Sequence, residues 1–473
     1  MSAKLDSPSA PRYLTPISQR AQPSIAGLLI FNLFFLLAIS ALAPWQYPSL
    51  ILLLWPEGTP QRDLYYRCHR FFKRCFSKVL LLLSTFFAPT DLILTSDGTV
   101  DLSSPEVVER DESGRFLRLN VAQRAVWMSN HQVSDWIYLW NLAHFADVDD
   151  SVLIMLKKSL KWAPVVGPAM QFFEFIWMAR SWEQDKKYLD KVLVKMGRRA
   201  QTNDGPLHLL IFPEGTLVSP LTRPSSEKWA KKQGVADMKY QLMPRSTGLL
   251  FCLRTLATRI PALELWDFTV GYGGLPESAP PVTGEKSEPA FGQEYFSLQS
   301  IFGGGQPPTG VHIHLRRWRV VSGSGNGDLP REDEVDLPTV PIGHLTTPGK
   351  ENRDLNHAHS DAASETGAGD KVGAMATDEE KERFDDWLRE RWAEKDALLG
   401  RFYRTGSFSG GVTNGEKADA FMTDVKSTTL KIPVEFRHTG EMIGFFCTLI
   451  GVGVTTWFFT KFWFRIAWWL LVR

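Results

Sequence analysis

Apolar positions fall in long unbroken runs at the two ends of the chain and in short, punctuated ones between them. Residues 25–43 carry no charge and one strongly polar side chain, Asn32. At about 1.5 Å of rise per residue such a run crosses most of a ~30 Å hydrocarbon core, so the pattern predicts a transmembrane helix. A cleaved leader is the competing reading, against which stand the length of the run and Pro44-Trp45 where small residues would precede a cleavage site. The basic-aromatic stretch RDLYYRCHRFFKR at 62–74 predicts a chain lying along the membrane surface. The apolar piece at 79–88, too short to span, predicts a re-entrant or interfacial helix. Residues 442–460 are a second uncharged run, followed by Lys461, Arg465, Trp468 and Trp469, and predict a C-terminal span with interfacial anchors. Arg62, Arg67, Arg70, Lys73, Arg74 and Lys78 follow the first span, against Lys4, Arg12 and Arg20 before it. That bias places the central part on the cytosolic side.

Between the ends the period changes. AVWM at 125–128, VLIM at 152–155, LLIF at 209–212 and FTV at 268–270 have β character and alternate with longer charged amphipathic pieces. An α/β domain follows, with a sheet flanked by helices. Residues 322–376 shift to Gly, Ser, Pro, Asp, Thr and Lys and read as a disordered insertion. Order resumes at Thr377, whose hydroxyl with Glu380 has capping-box spacing. Phe384, Trp387, Leu388, Leu398, Leu399 and Phe402 then trace an interrupted apolar helix face. Its mixed-charge polar face favours packing on the domain over membrane binding. The chain thus divides into a polar tail (1–24), a span with interfacial helices (25–89), the α/β domain (90–321), the insertion (322–376), a helical extension (377–440) and a C-terminal span (441–473).

Composition narrows the class. The 473 residues include 53 Lys+Arg against 52 Asp+Glu, a formal charge of +1 that gives no support to a protein coating nucleic acid. Cys68, Cys75, Cys252 and Cys447 form no CxxC pair and read as free thiols. The 17 Trp and 30 Phe are many for a soluble protein, yet a mean hydropathy of −0.15 is too low for a polytopic transporter. Amphipathic aromatics favour a boundary between water and lipid, so the totals suit a soluble-type domain seated on a membrane.

The candidate chemistry sits at the ends of the strand-like runs. SNHQVSDW, 129–136, follows AVWM, and His131 with Asp135 can form a base–orienter pair in which the carboxylate fixes the imidazole tautomer. A histidine capping the next helix satisfies the same spacing. LLIFPEGT, 209–216, breaks at Pro213 into a turn presenting Glu214, Gly215 and Thr216, either as part of a site at a strand's C-terminal end or as a plain turn. Arg180 closes the run FIWMAR, where it can hold a phosphate bidentately or pair with Glu183. PRSTG, 244–248, opens an apolar helix whose start can bind an anion or be capped by Ser246 or Thr247. His312 and His314 alternate along a strand that reads as a surface strand, with no third metal ligand apparent. No GxSxG elbow, P-loop or dinucleotide fingerprint is present.

In this order, Asn130-His131 with Asp135, FIWMAR, FPEGT and PRSTG resemble the four blocks of the glycerolipid acyltransferase family. The longer strings KWAPVVGPAMQFFEFIWMARSWEQDK and PRSTGLLFCLR look like its eukaryotic branch, which contains lysophosphatidate, lysocardiolipin and lysophosphatidylinositol acyltransferases. The resemblance runs over 62–314, and the helix DDWLRERWAEKDALLGRFY at 385–403 is similar to that branch as well. It implies an acyltransferase-type mixed sheet with membrane helices at both ends, in the endoplasmic reticulum membrane. It also implies an enzyme that moves an acyl chain from acyl-CoA, as co-substrate, to the free glycerol hydroxyl of a lysophospholipid. His131 would be the general base and Asp135 its orienter. Glu214, Gly215 and Thr216 would help hold the phosphate and shape the site, Arg180 would bind the acceptor, and Pro244 lies in the block associated with the acyl donor. No metal, prosthetic group or nucleic acid is implied.

Two positions depart from the family pattern. HQVSD has three residues between His and Asp where the pattern has four. In continuous helix those spacings put the two side chains about 40° and about 140° apart, so the carboxylate is re-aimed unless a loop absorbs the change. A non-catalytic, membrane-anchored lipid-binding protein with the same fold is the rival reading. Leu217 stands where many relatives carry Arg after FPEGT, which moves phosphate contact to other groups.

Overall fold

A computed structural model describes residues 16–20, 23–163, 166–202, 205–277, 289–320, 337–343, 345, 376–409 and 428–472. The elements in chain order are α1 (Ile25–Leu42), a 3-10 helix (Ala43–Leu54), α2 (Pro60–Phe87), β1 (Asp91–Ser96), β2 (Val108–Arg110), β3 (Phe116–Leu119), β4 (Arg124–Ser129) and α3 (Asp135–Phe145). There follow β5 (Val152–Lys157), α4 (Val166–Phe172), β6 (Ile176–Met178), α5 (Trp182–Thr202), β7 (Leu207–Ile211), α6 (Arg223–Gln233) and α7 (Ser246–Ala257). The chain ends through β8 (Glu264–Tyr272), the short α8 (Gly292–Tyr295), β9 (Val311–Arg319), α9 (Asp378–Thr405), β10 (Leu430–Pro433) and α10 (Thr439–Val472).

Eight strands form one mixed sheet in the order β10-β1-β9-β8-β4-β7-β5-β6. β8, β4, β7, β5 and β6 are mutually parallel, while β9 runs antiparallel to β8. Strands buried on both faces are nearly continuously apolar: LHLLI in β7 is buried at every position, with His208 its one polar side chain, placed between Ser151 and the Ala122 carbonyl. Side-chain alternation splits the core into two layers. Trp127, Trp266, Phe268 and Tyr272 join a cluster with α1, α2 and α3. Val126, Met128 and Leu265 join another with α5, α7 and the first half of α9.

Several expectations change here. Most of the apolar piece at 79–88 is core rather than interfacial: it continues the single helix α2, and Val79 to Leu83 are at most 2% exposed, whereas Phe86 near its end is exposed. Composition alone does not separate a short membrane element from a buried helix. Part of the basic stretch before it also serves the fold: Lys73 is buried and donates to the Val152 carbonyl at 3.1 Å, and Arg70 and Arg74 pair with Asp150. The stretch expected to be a disordered insertion lies largely outside the described residues. Its residues 337–343 are packed, with Val340 and Ile342 buried beside α7 and the Ile342 carbonyl bonded by Arg254. β9 lies inside the sheet rather than at its surface, and its His314 is buried with Nδ1 3.0 Å from Thr95 Oγ1. Ser246 does not cap α7; it donates to Asp385 of α9 at 2.6 Å.

α9 forms as the pattern predicts. Thr377 Oγ1 accepts from the Glu380 N–H and Glu380 Oε2 from the Thr377 N–H, a complete capping box. Phe384, Leu388, Leu398, Leu399 and Phe402 are buried against the domain. The helix comes so near β8 that a Cβ on Gly271 would lie 2.7 Å from the Phe402 ring. Fully buried Lys395 of α9 donates to Asp267 and, at 2.9 Å, to the Phe268 carbonyl, and Arg316 holds the other Asp267 oxygen at 3.0 Å. Burial pulls the Lys395 ammonium down to about 8, against the attraction of Asp267. Removing one member of such a network leaves buried charge short of partners. Lys395→Met is therefore expected to lower stability by about 3 kcal/mol, measured as a fall in the unfolding midpoint of the detergent-solubilised protein.

Among the described residues one helix, Ile25–Leu54, is long and apolar enough to cross a membrane. α1 packs against α10 at the other end of the chain.

Candidate active site

β8, β4, β7, β5 and β6 all end at one edge of the sheet, the edge where parallel α/β sheets carry their sites. Register sets the levels: Met128 lies opposite Ile211 and Lys157 opposite Met178. His131 and Glu214 follow Met128 and Ile211 by the same number of residues and so stand side by side. Arg180 follows β6, three strand spacings from β4, or roughly 14 Å.

Each residue of the NHQVSD segment has a local reason for its place. The Asn130 amide behaves like a peptide added to the sheet, donating to the Val270 carbonyl at 3.0 Å and accepting from the Val270 N–H at 2.8 Å. His131 is outside α3, so the missing residue is lost from a loop and not from helix. Asp135 opens α3 and turns back over that loop. Its Oδ2 lies 2.9 Å from His131 Nδ1 and accepts the N–H groups of Gln132 at 2.7 Å and Val133 at 3.2 Å. The dyad therefore closes despite the short spacing. With Nδ1 engaged, Nε2 is the nitrogen left for chemistry, on a side chain that is 20% exposed beside a fully buried carboxylate.

The FPEGT turn holds the histidine from the other side. Phe212 stacks on the imidazole at 4.1 Å between centroids. The His131 N–H donates to Glu214 Oε1 at 2.8 Å, and the His131 carbonyl accepts from the Val218 N–H at 3.1 Å. Glu214 Oε2 accepts the Leu242 N–H at 2.9 Å. Burial pushes the Glu214 carboxyl up to about 8, while its two N–H donors favour the charged form. Glu214 is buried with both oxygens accepting backbone N–H groups, so its carboxylate braces the turn and shapes the site. Gly215 is exposed and takes φ +72, which suits glycine. Half-buried Thr216 follows it.

Arg180 is exposed just past β6 at φ +67, a conformation costly for an arginine and found where structure over-determines it. Asp185 imposes it, accepting the N–H groups of Ala179 at 2.7 Å and Ser181 at 3.1 Å. Pro244 is buried and the exposed residue is its neighbour Arg245, whose N–H donates to the Pro213 carbonyl at 2.9 Å. The Arg245 side chain passes 4.0 Å from where a Gly215 Cβ would be. The structure thus gathers His131, Asp135, Glu214, Gly215 and Thr216 at one place, with Arg180 farther along the same edge.

Sequence reasoning named Asn130 and Arg245 only within their motifs, with no role of their own, and missed Lys157 at the end of β5 and two tyrosines. Tyr272 donates to Asp135 Oδ1 at 3.0 Å, and Tyr403 of α9 accepts from Gln132 Nε2 at 2.6 Å. Lys157 and Arg245 carried a usable signal, each being a cation beside a strand or turn already singled out. The tyrosines carried none, since their partners are more than a hundred residues away.

A histidine–carboxylate pair at a sheet edge, with one ring nitrogen open, has the arrangement needed to take a proton from a hydroxyl. The comparisons agree with that class. The model of the family described as Acyltransferase matches residues 103–264, and that of Acyltransferase C-terminus matches 376–433. The chain is 31% identical to a 2-acyl-1-lysophosphatidylinositol acyltransferase of Saccharomyces cerevisiae, over 74% of its own length and 79% of the yeast protein's. It is 28% identical to lysocardiolipin acyltransferase 1 of Danio rerio, over 60% and 53% of the two chains. To a probable 1-acyl-sn-glycerol-3-phosphate acyltransferase of Arabidopsis thaliana it is 30% identical, over 41% and 45%. The chain belongs to the lysophospholipid and glycerolipid acyltransferase family, and it is an acyltransferase.

Proposed function

We propose that this acyltransferase moves an acyl group from acyl-CoA to the free glycerol hydroxyl of a lysophospholipid of the lysophosphatidate or lysophosphatidylinositol type. His131 Nε2 takes the hydroxyl proton as the oxygen attacks the thioester carbonyl, with Asp135 holding Nδ1–H and stabilising the imidazolium. Collapse of the tetrahedral intermediate breaks the C–S bond, and the departing sulfur recovers the proton from Nε2. The reaction needs no metal or prosthetic group, since coenzyme A enters and leaves within a substrate. The observation that carries this reading is the 2.9 Å His131–Asp135 contact with Nε2 left open. It favours catalysis over a non-catalytic lipid-binding protein.

The exposed cations Lys157, Arg180 and Arg245 lie on the same edge of the sheet and suit the acceptor's phosphate. Gly215 and Thr216 shape the turn beneath it, and Pro244 sets Arg245 in place. A lipid acceptor fits the two ends of the chain. Ile25, Leu29, Leu33 and Leu37 of α1 are each at least 60% exposed, as are Ile450, Phe458 and Phe464 of α10. Such faces belong in hydrocarbon, which supports a span at each end; the endoplasmic reticulum membrane and a cytosolic α/β domain belong to the same proposal, resting on the family resemblance and the charge bias after the first span. The test is an assay of the purified protein with radiolabelled acyl-CoA against lysophosphatidate, lysophosphatidylinositol and lysocardiolipin. Labelled diacyl product with one of the first two is expected; release of free fatty acid alone would mean hydrolysis and overturn the proposal.

A further inference from the structure

Tyr272 is the last residue of β8 and is fully buried. Its ring packs between Tyr138 of α3, at 5.9 Å, and Phe296, at 5.6 Å between centroids. Its hydroxyl donates to Asp135 Oδ1 at 3.0 Å and accepts the Ser134 N–H at 3.1 Å. The two oxygens of Asp135 therefore face different ways: Oδ2 toward the imidazole and the loop N–H groups, Oδ1 toward the phenol. We propose that Tyr272 is a positioning residue for acyl transfer, acting through Asp135 to aim the His131 imidazole. The inference rests on His131 being the general base.

Two physical consequences follow from the geometry. The phenol ties both ends of the Ser134–Asp135 step to the sheet, so the carboxylate is aimed from β8 as well as by the Gln132 and Val133 N–H groups of the loop before it. A donor on Oδ1 also withdraws negative charge from Oδ2, so the imidazolium is stabilised less than by a bare carboxylate. Burial, then the nearby Asp135 charge, holds the Tyr272 phenol protonated well above its ordinary range, which keeps the bond in place wherever His131 titrates. The other titratable groups around the dyad are Glu214 of the FPEGT turn, Tyr138 of α3, and Tyr403 and Lys395 of α9. None of these donates to Asp135 among the described residues.

The test is Tyr272→Phe in the full chain in detergent, with the His131 ring titrated by NMR of labelled histidine and assigned by its loss in His131→Asn. The imidazole pKa should move up by about half to one pH unit. The acid limb of kcat/KM should move with it, and kcat should fall about tenfold at unchanged KM. Tyr403→Phe removes only the Gln132 bond and should leave the titration where it is. An unmoved His131 titration in Tyr272→Phe, or an equal movement in Tyr403→Phe, would overturn the proposal. If Tyr272→Phe does not fold, 3-fluorotyrosine at 272 is a stronger donor and should move the titration down; no movement is again fatal. The titration needs no turnover. A wild-type protein that transfers no acyl group would sink the proposed function while the NMR result still decides the role of Tyr272.

Discussion

Acyl transfer by His131→Ala should fall by about a thousandfold, the middle of the range for loss of a positioned general base. The change removes Nε2 together with the Nδ1 partner of Asp135, whose Oδ2 still accepts the Gln132 and Val133 N–H groups. The backbone of residue 131 is held by Glu214 and Val218, and neither bond uses the ring. The ring itself is 20% exposed and lies flat on Phe212, so its loss opens no core cavity. The variant should enter membranes like the wild type and unfold at nearly the same temperature. Residual transfer would report the contribution of binding and orientation. Radiolabelled acyl-CoA and a lysophospholipid, with membrane extraction in parallel, measure both quantities, and wild-type activity would remove His131 from the mechanism.

Inserting a glycine between Val133 and Ser134 should lower activity by about a hundredfold or more, the effect of an ångström-scale displacement of a catalytic group. The insertion restores the His-x4-Asp spacing of the family pattern and would help if the short loop were a defect. The structure predicts the opposite, because the loop is closed on itself at its present length. Asp135 Oδ2 gathers three donors from residues 131–133, and Tyr272 holds Ser134 and Asp135 from below. An extra residue must bulge the loop or push Asp135 out of reach of Nδ1. The same acyl-transfer assay reads the outcome, and a rise above wild type would show the deletion to be damage.

Elements set by their neighbours in sequence were legible, and those set by distant contacts were not. The apolar runs at 125–128, 152–155, 209–212 and 268–270 all fall on or at the end of sheet strands, because a run of that period and length carries its own signal. The capping box at Thr377 and Glu380 is equally local. The apolar piece at 79–88 reads as re-entrant or interfacial because a run too short to span has the same composition whether lipid or protein covers it; α1, α3 and the sheet cover its residues 79–83 here. Lys73 looked membrane-facing, although its partner is a carbonyl on β5. In the site, His131 and Asp135 announced themselves, and Glu214 was singled out for its carboxylate. That this carboxylate faces two backbone N–H groups depends on how the β4 and β7 loops meet, which no spacing along the chain encodes.

The packing of α9 bears on when the site is braced during the enzyme's own synthesis. The parallel strands and the His131 loop are complete in sequence by residue 272, yet Asp267 must wait for Lys395, Ser246 for Asp385 and Gln132 for Tyr403. On the ribosome the sheet can assemble with its catalytic edge still unbraced for more than a hundred further residues. The edge that carries His131 is therefore fully braced only when residues as far as Tyr403 are in place.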